Sequence, residues 1–208
     1  MTSRAIVWTK LCGAVAAIAL IVCQGPVHTQ AAPSTYVLDR QHTNITFGWD
    51  RLGISRQFGR ITDFEGRLQL DMDSPEDAEL VVSMKAASLW TGVPELDKHL
   101  KSADFFDVAR HPRIDFRSTV VKRTGEKSAE VWGELTMLGI TKPVTLDVTM
   151  TFAGDHPLAQ FNANFVGKFV AGFRASARIL RSDWGLSRGT PLVSDEIEIA
   201  INAELLRE

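Results

Sequence analysis

The chain has 208 residues, 45% of them hydrophobic, with 23 basic and 25 acidic side chains. That length suits one domain with a real core. The slightly acidic balance argues against a nucleic-acid binder, which would carry a basic stripe.

The N-terminus reads as an address rather than as fold. Arg4 and Lys10 make a positive start, and Leu11 to Val22 is an apolar run without charge. Gly25-Pro26 breaks it, and Thr29-Gln30-Ala31 offers small residues at the usual cleavage spacing. The run is shorter than the ~20 residues a membrane span needs. Residues 1–31 are therefore expected to be a cleaved signal peptide, and 32–208 a single exported domain, periplasmic in a bacterium. Losing Arg4 and Lys10, and no acidic residue, leaves a net charge of −4. Cys12 and Cys23 leave with them, so the mature domain would hold no disulfide and no thiolate metal site.

From Tyr36 onward the pattern is that of strands. Ile45, Phe47 and Trp49 alternate with polar or small residues. Phe58 to Phe64 and then Leu68, Leu70 and Met72 repeat the period, with Gly66 expected as a bulge or bend. Asp71 to Pro75 is a turn cluster. Leu80, Val82 and Met84 make the next strand, which Trp90-Thr91-Gly92 closes.

Pro94 opens the one helix, whose apolar side holds Leu96, Leu100 and Ala103. The adjacent pair Phe105 and Phe106 cannot both point into a single helical stripe, because neighbours project at least a quarter-turn apart. The expectation is a short helix lying across a β-protein with aromatic side chains at the mouth of an apolar interior. Ile114, Phe116, Ser118 and Val120 then restore the period of two.

Arg123 to Glu126 is a hairpin turn, followed by Val131, Gly133, Leu135 and Met137. Trp132 falls out of phase and is expected to pack outside, under the helix or a loop. Leu138 to Thr141 turns again, into Val144, Leu146, Val148, Met150 and Phe152. After Asp155-His156-Pro157 comes the longest period-two run, Phe161 to Ile179. At ~3.3 Å per residue it would be on the order of 60 Å long, so it must bend or fold at Gly167 or Gly172. Ile197 to Leu205 completes the chain. Eight or so long alternating strands with short connections and no βαβ spacing imply an all-β antiparallel fold, either a closed barrel or a sandwich.

Several separate stretches, HLKSADFF, HPRIDFRST, GELTMLGITKPVTLDV, FRASARILRSDWGL and VSDEIEIAINAEL, resemble the YceI-like family of exported polyisoprenoid-binding proteins. The resemblance runs from Tyr36 to Leu206. It implies an eight-stranded antiparallel barrel, lipocalin-like, with one short helix across it. It further implies an isoprenoid lipid or quinone held in the interior, transient contact with a membrane surface, no cofactor and no reaction. Two positions depart from the family habit: Arg51 stands where histidine is common, and Leu96 where arginine often precedes the aspartate.

The candidate ligand contacts are Phe47, Trp49, Phe105, Phe106, Phe116, Leu135, Met150, Phe165, Phe169 and Phe173. Small residues share their faces, Gly133 beside Leu135 and Ala163, Gly167, Ala171 and Ala175 among the phenylalanines. That leaves room for a tunnel, or else permits tight large-to-small packing in a solid core. A solid core would make the protein an envelope structural or stress-response interaction module. Enzymatic chemistry finds little support: no glycine-rich phosphate loop follows a strand. An enzyme would have to use His42, Asp97 or His99. Asp39-x-x-His42 reads as a capped turn, and His99, His111 and His156 show no metal-ligand spacing. Arg181-Ser182-Asp183 is read either as a rim that meets a headgroup or as an internal Arg–Asp pair.

Overall fold

The computed structural model of the chain describes residues 33–208. The expected signal peptide lies outside the described residues, as do both cysteines. The strands are β1 (Ser34–Leu38), β2 (Asn44–Arg51), β3 (Ser55–Ile61), β4 (Phe64–Leu70), β5 (Glu79–Lys85) and β6 (Leu89–Trp90). Helix α1 (Pro94–Lys101) follows, then β7 (Arg113–Arg123), β8 (Ser128–Met137), β9 (Ile140–Asp155), β10 (Phe169–Leu180) and β11 (Glu196–Arg207).

Eight of these close a ring in the order β1-β4-β5-β7-β8-β9-β10-β11 and back to β1, each pair antiparallel. Closure removes the edges that an open sheet would expose. The last strand is shared. Its end, Leu205 to Arg207, pairs with β1, while Glu198 to Asn202 pair with β2, from which β3 and β6 continue the wall. Period-two side chains decide which face is which. In β8, Val131, Gly133, Leu135 and Met137 are buried, whereas Trp132 and Glu134 are exposed. Trp132 is outside as expected, but it stays exposed.

Four sequence expectations need correction. Gly66 is no bulge: it stays in register opposite Val82 and faces inward. In β7 the register shifts between Ser118 and Val120, which turns Val120 outward (47% exposed) and brings Val121 to the interior. A bulge of this kind inserts one residue and flips every later side chain. The run from Phe161 to Ile179 is not one strand, since residues 157–160 and 163–165 form 3-10 turns and β10 begins at Phe169. Within β10 the register shifts between Gly172 and Phe173. Finally, α1 ends at Lys101, where the Ser102 amide and hydroxyl both donate to the His99 carbonyl at 3.1 and 2.7 Å. Ala103, Phe105 and Phe106 therefore sit in turns beyond the helix.

Candidate functional site

The barrel is hollow. It encloses a cavity of about 560 Å³, lined by side chains from all eight ring strands together with β2, β3, β6 and α1. Its polar lining is limited to Thr43, Thr46, His99, Arg181 and Arg188 among the described residues. That volume falls within the ~300–1,000 Å³ of small-molecule sites.

Glycines explain how a lumen rich in aromatics stays open. A Cβ on Gly59 would lie 2.4 Å from the Phe47 ring, and one on Gly133 would lie 2.4 Å from the Phe116 ring. A Cβ on Gly66 would lie 2.5 Å from Leu38. Each large side chain rests in the recess that its glycine leaves in the wall, instead of projecting across the bore. Phe47 also stacks on Trp49, two residues along the same face, with ring centres 5.8 Å apart.

One end of the cavity is roofed by α1, the turns after it and the loop from Leu186 to Val193. Leu96 and Leu100 point into it from the helix, joined by His99, whose ring meets Phe105 edge-on at 4.7 Å. Asp97 accepts the amide and hydroxyl of Thr91 at 2.7 and 2.6 Å, which ties down the start of the helix. Arg188 pairs with Asp104 and so links the loop to the aromatic turn.

Arg181 is neither the rim residue nor the Arg–Asp pair expected. It is 6% exposed, and its guanidinium donates to the carbonyls of Ser194, Leu186, Arg188 and Val193 and to the Thr190 hydroxyl. Burial pushes its pKa down from the ordinary value, against the opposing charge of Asp195.

Of the candidate contacts, Phe47, Trp49, Phe105, Phe106, Phe116, Leu135 and Phe173 line this cavity. Met150, Phe165 and Phe169 do not. Phe165 stacks on His156, with centres 4.1 Å apart, in the loop before β10. Phe169 meets Tyr36 edge-on and lies under the Arg207 guanidinium. Sequence reasoning missed the lining from Leu96, His99 and the β11 isoleucines, although the alternation at Ile197, Ile199 and Ile201 carried the signal.

A second cavity, about 520 Å³, lies against β9, β10, β11 and the loop at 156–165. It is bordered by His42, His156, Arg174, Asn202 and Glu204 as well as apolar side chains. Asp39 Oδ2 stands 2.7 Å from His42 Nδ1, and Asp39 Oδ1 accepts the Gln41 amide at 2.8 Å, the capped turn that the spacing suggested. Burial raises the Asp39 carboxyl, but the His42 and Gln41 hydrogen bonds outweigh it and hold its pKa below the ordinary value. The same hydrogen bond raises His42.

The sequence profile of the YceI-like domain matches residues 36–205. The chain belongs to the YceI-like family. A UPF0312 protein of Pseudomonas putida strain GB-1 is 38% identical over 181 residues, covering 86% of this YceI-like chain and 90% of the relative. One from Azotobacter vinelandii is 34% identical over 181 residues, with the same coverage of each. Among solved structures, the Campylobacter jejuni YCEI protein superposes with a TM-score of 0.68 at 27% identity, over 76% of this chain and 90% of that one. Burkholderia cenocepacia BcnA gives 0.70 at 20% identity, covering 80% and 98%. A polyisoprenoid binding domain from Saccharophagus degradans gives 0.59 at 13%, covering 83% and 98%. The last two are likenesses of fold alone.

Proposed function

We propose that this protein binds a long-chain isoprenoid lipid or quinone inside its barrel and carries or sequesters it, without catalysing a reaction. The observation that carries the reading is the 560 Å³ apolar lumen. An eight-stranded barrel either fills with its own side chains or holds one ligand, and an open lumen argues for the second use. Membership of the YceI-like family supports the class of ligand, as does the fold shared with a domain described as polyisoprenoid binding.

Magnitudes favour long chains. Each buried isoprene unit contributes ~3–4 kcal/mol, at roughly 0.8 kcal/mol per carbon. Association costs on the order of 4–15 kcal/mol. One or two units scarcely bind, whereas four or more reach about micromolar affinity. A nearly charge-free lining suits the tail and leaves the headgroup at the mouth.

Leu52, Ile54, Val93 and Leu192 are exposed near that mouth, and the Leu52 amide donates to the Leu192 carbonyl at 2.6 Å. Such a greasy rim suits brief docking on a membrane surface, from which a lipid would pass directly into the lumen. Export to the periplasm through residues 1–31 belongs to the same proposal.

Organic extraction of the purified protein followed by mass spectrometry is expected to release an isoprenoid or quinone. Ala175→Trp, which fills the lumen from β10, is expected to fold but to come out empty. A clean wild-type extract, with no binding of an added polyprenyl compound, would overturn the reading.

A further inference from the structure

Glu204 faces away from the lumen, on the outer side of β11. Three hydrogen bonds fasten its backbone to the turn that carries Asp39 and His42. The Asp39 amide donates to the Glu204 carbonyl at 2.8 Å, and the Thr43 hydroxyl donates to the same oxygen at 3.2 Å. The Glu204 amide donates back to the Thr43 hydroxyl at 3.1 Å. Two carboxylates and an imidazole, from opposite ends of the barrel sequence at Asp39, His42 and Glu204, are thereby held together. One donor atom from each lies within 4.8 Å of the others.

A fourth group is aimed at this trio from the other side. His156 is 8% exposed, and its Nδ1 accepts the Leu158 amide at 3.2 Å. With Nδ1 accepting, the neutral ring carries its proton on Nε2. That nitrogen points at Glu204 Oε1 from 3.6 Å, just beyond hydrogen-bond distance. Phe165 stacks on the ring and fixes its plane. In metal centres the ligating carboxylates are held in turn by an outer layer of hydrogen-bonding groups, the place that a buried imidazole aimed at Glu204 would take.

We propose that Asp39, His42 and Glu204 bind a divalent transition-metal ion of the zinc class on the outer wall of the barrel, with His156 steadying Glu204. One nitrogen and two oxygens suit zinc, cobalt or nickel better than magnesium, which prefers oxygen alone. Metal–ligand bonds of ~2.0–2.2 Å require donors no more than about 4 Å apart. The His42 side chain is 61% exposed, and the ion would take the place of the proton it shares with Asp39 as the ring shifts to make up the difference. Three protein ligands leave a coordination position open, and here it faces the 520 Å³ cavity. Phe173 and Ala203 border both this cavity and the lumen, so the ion would sit one residue's thickness from the lipid chamber.

The test is titration of the untagged full chain, freed of metal by chelator, with zinc by calorimetry and with cobalt by visible absorption. His42→Ala and Glu204→Gln should each lose one equivalent relative to wild type, whatever residues outside the barrel bind. His156→Gln should keep that equivalent with ~10–100-fold weaker affinity, and His111→Ala should match wild type. Equal stoichiometry and affinity in wild type, His42→Ala and Glu204→Gln would overturn the proposal. So would a wild type that binds neither ion at micromolar concentration. Neither outcome bears on lipid binding, which is read separately by extraction.

Discussion

Arg181 organises the loop that roofs the lumen, because one guanidinium satisfies four backbone carbonyls and a hydroxyl that water does not reach easily. Leaving buried acceptors without a donor costs about 1–3 kcal/mol each, softened where the loop can relax. Arg181→Ala is therefore expected to lower unfolding stability by about 3 kcal/mol in a denaturant titration, whereas exposed Arg178→Ala should change it little. Beside it, Asp195 accepts the Ser182 hydroxyl at 2.6 Å and the Ser182 amide at 2.9 Å. The hydroxyl bond is the largest influence, and with the amide and the Arg181 charge it outweighs burial to hold the carboxyl below the ordinary 3.8. A carboxyl depressed by folding stabilises the native state above its ordinary pKa, and that contribution fades as pH falls through the lower, folded value. Asp195→Asn should thus be less stable than wild type at neutral pH. The gap should close below pH 3.8, as thermal melts across that range would record.

At the scale of elements, strands were legible wherever one face meets the lumen and the other meets water, because that contrast writes a period of two. The helix start was legible from Pro94, and its end was not. Ser102 stops α1 by turning its hydroxyl back onto the His99 carbonyl, a local bond that competes with further helix. The stretch from Phe161 misled for a similar reason. His156 and Asn162 each accept an amide two residues on, which bends the chain into turns despite its alternating aromatics. Pro157, Asn162 and Asn164 were the available warning. The bulge at Ser118 left no mark in composition at all. The candidate site was legible to the extent that it lay on strands. Phe165 missed because it sits in a 3-10 turn, whereas Met150 pairs with Phe173 and Phe169 packs on the core beside Tyr36, both beyond the reach of the cavity. The Asp104–Arg188 pair is exposed, with little effect on stability expected. It nevertheless joins the two segments that cover the mouth. Asp104→Ala should leave stability within about 1 kcal/mol and speed severalfold the transfer of a fluorescent polyprenyl probe to vesicles.

For the whole molecule, closure of the ring and hollowness of the lumen pull in opposite directions. Closure satisfies every ring strand on both sides, while an empty interior forgoes the dispersion contacts of a packed core. A chain filling that space stabilises the folded state by mass action, about 2.7 kcal/mol at one hundred times its dissociation constant. Delipidated protein should accordingly melt several degrees below protein that retains its ligand, and added polyprenyl compound should restore the difference. Failure of any hydrophobic chain to raise the melting temperature would count against a lumen built for occupancy. Gly59, Gly66 and Gly133 extend this logic to the calibre of the channel. At Gly59 and Gly66 an added methyl would meet only the side chains of Phe47, Leu38 and Val82, pushing the bulky neighbour toward the axis and narrowing the passage locally, whereas at Gly133 it would also meet the Arg117 carbonyl. Relatives could thus be tuned to slimmer or stouter cargo through the Gly59 and Gly66 positions, with the hydrogen-bonded framework left untouched.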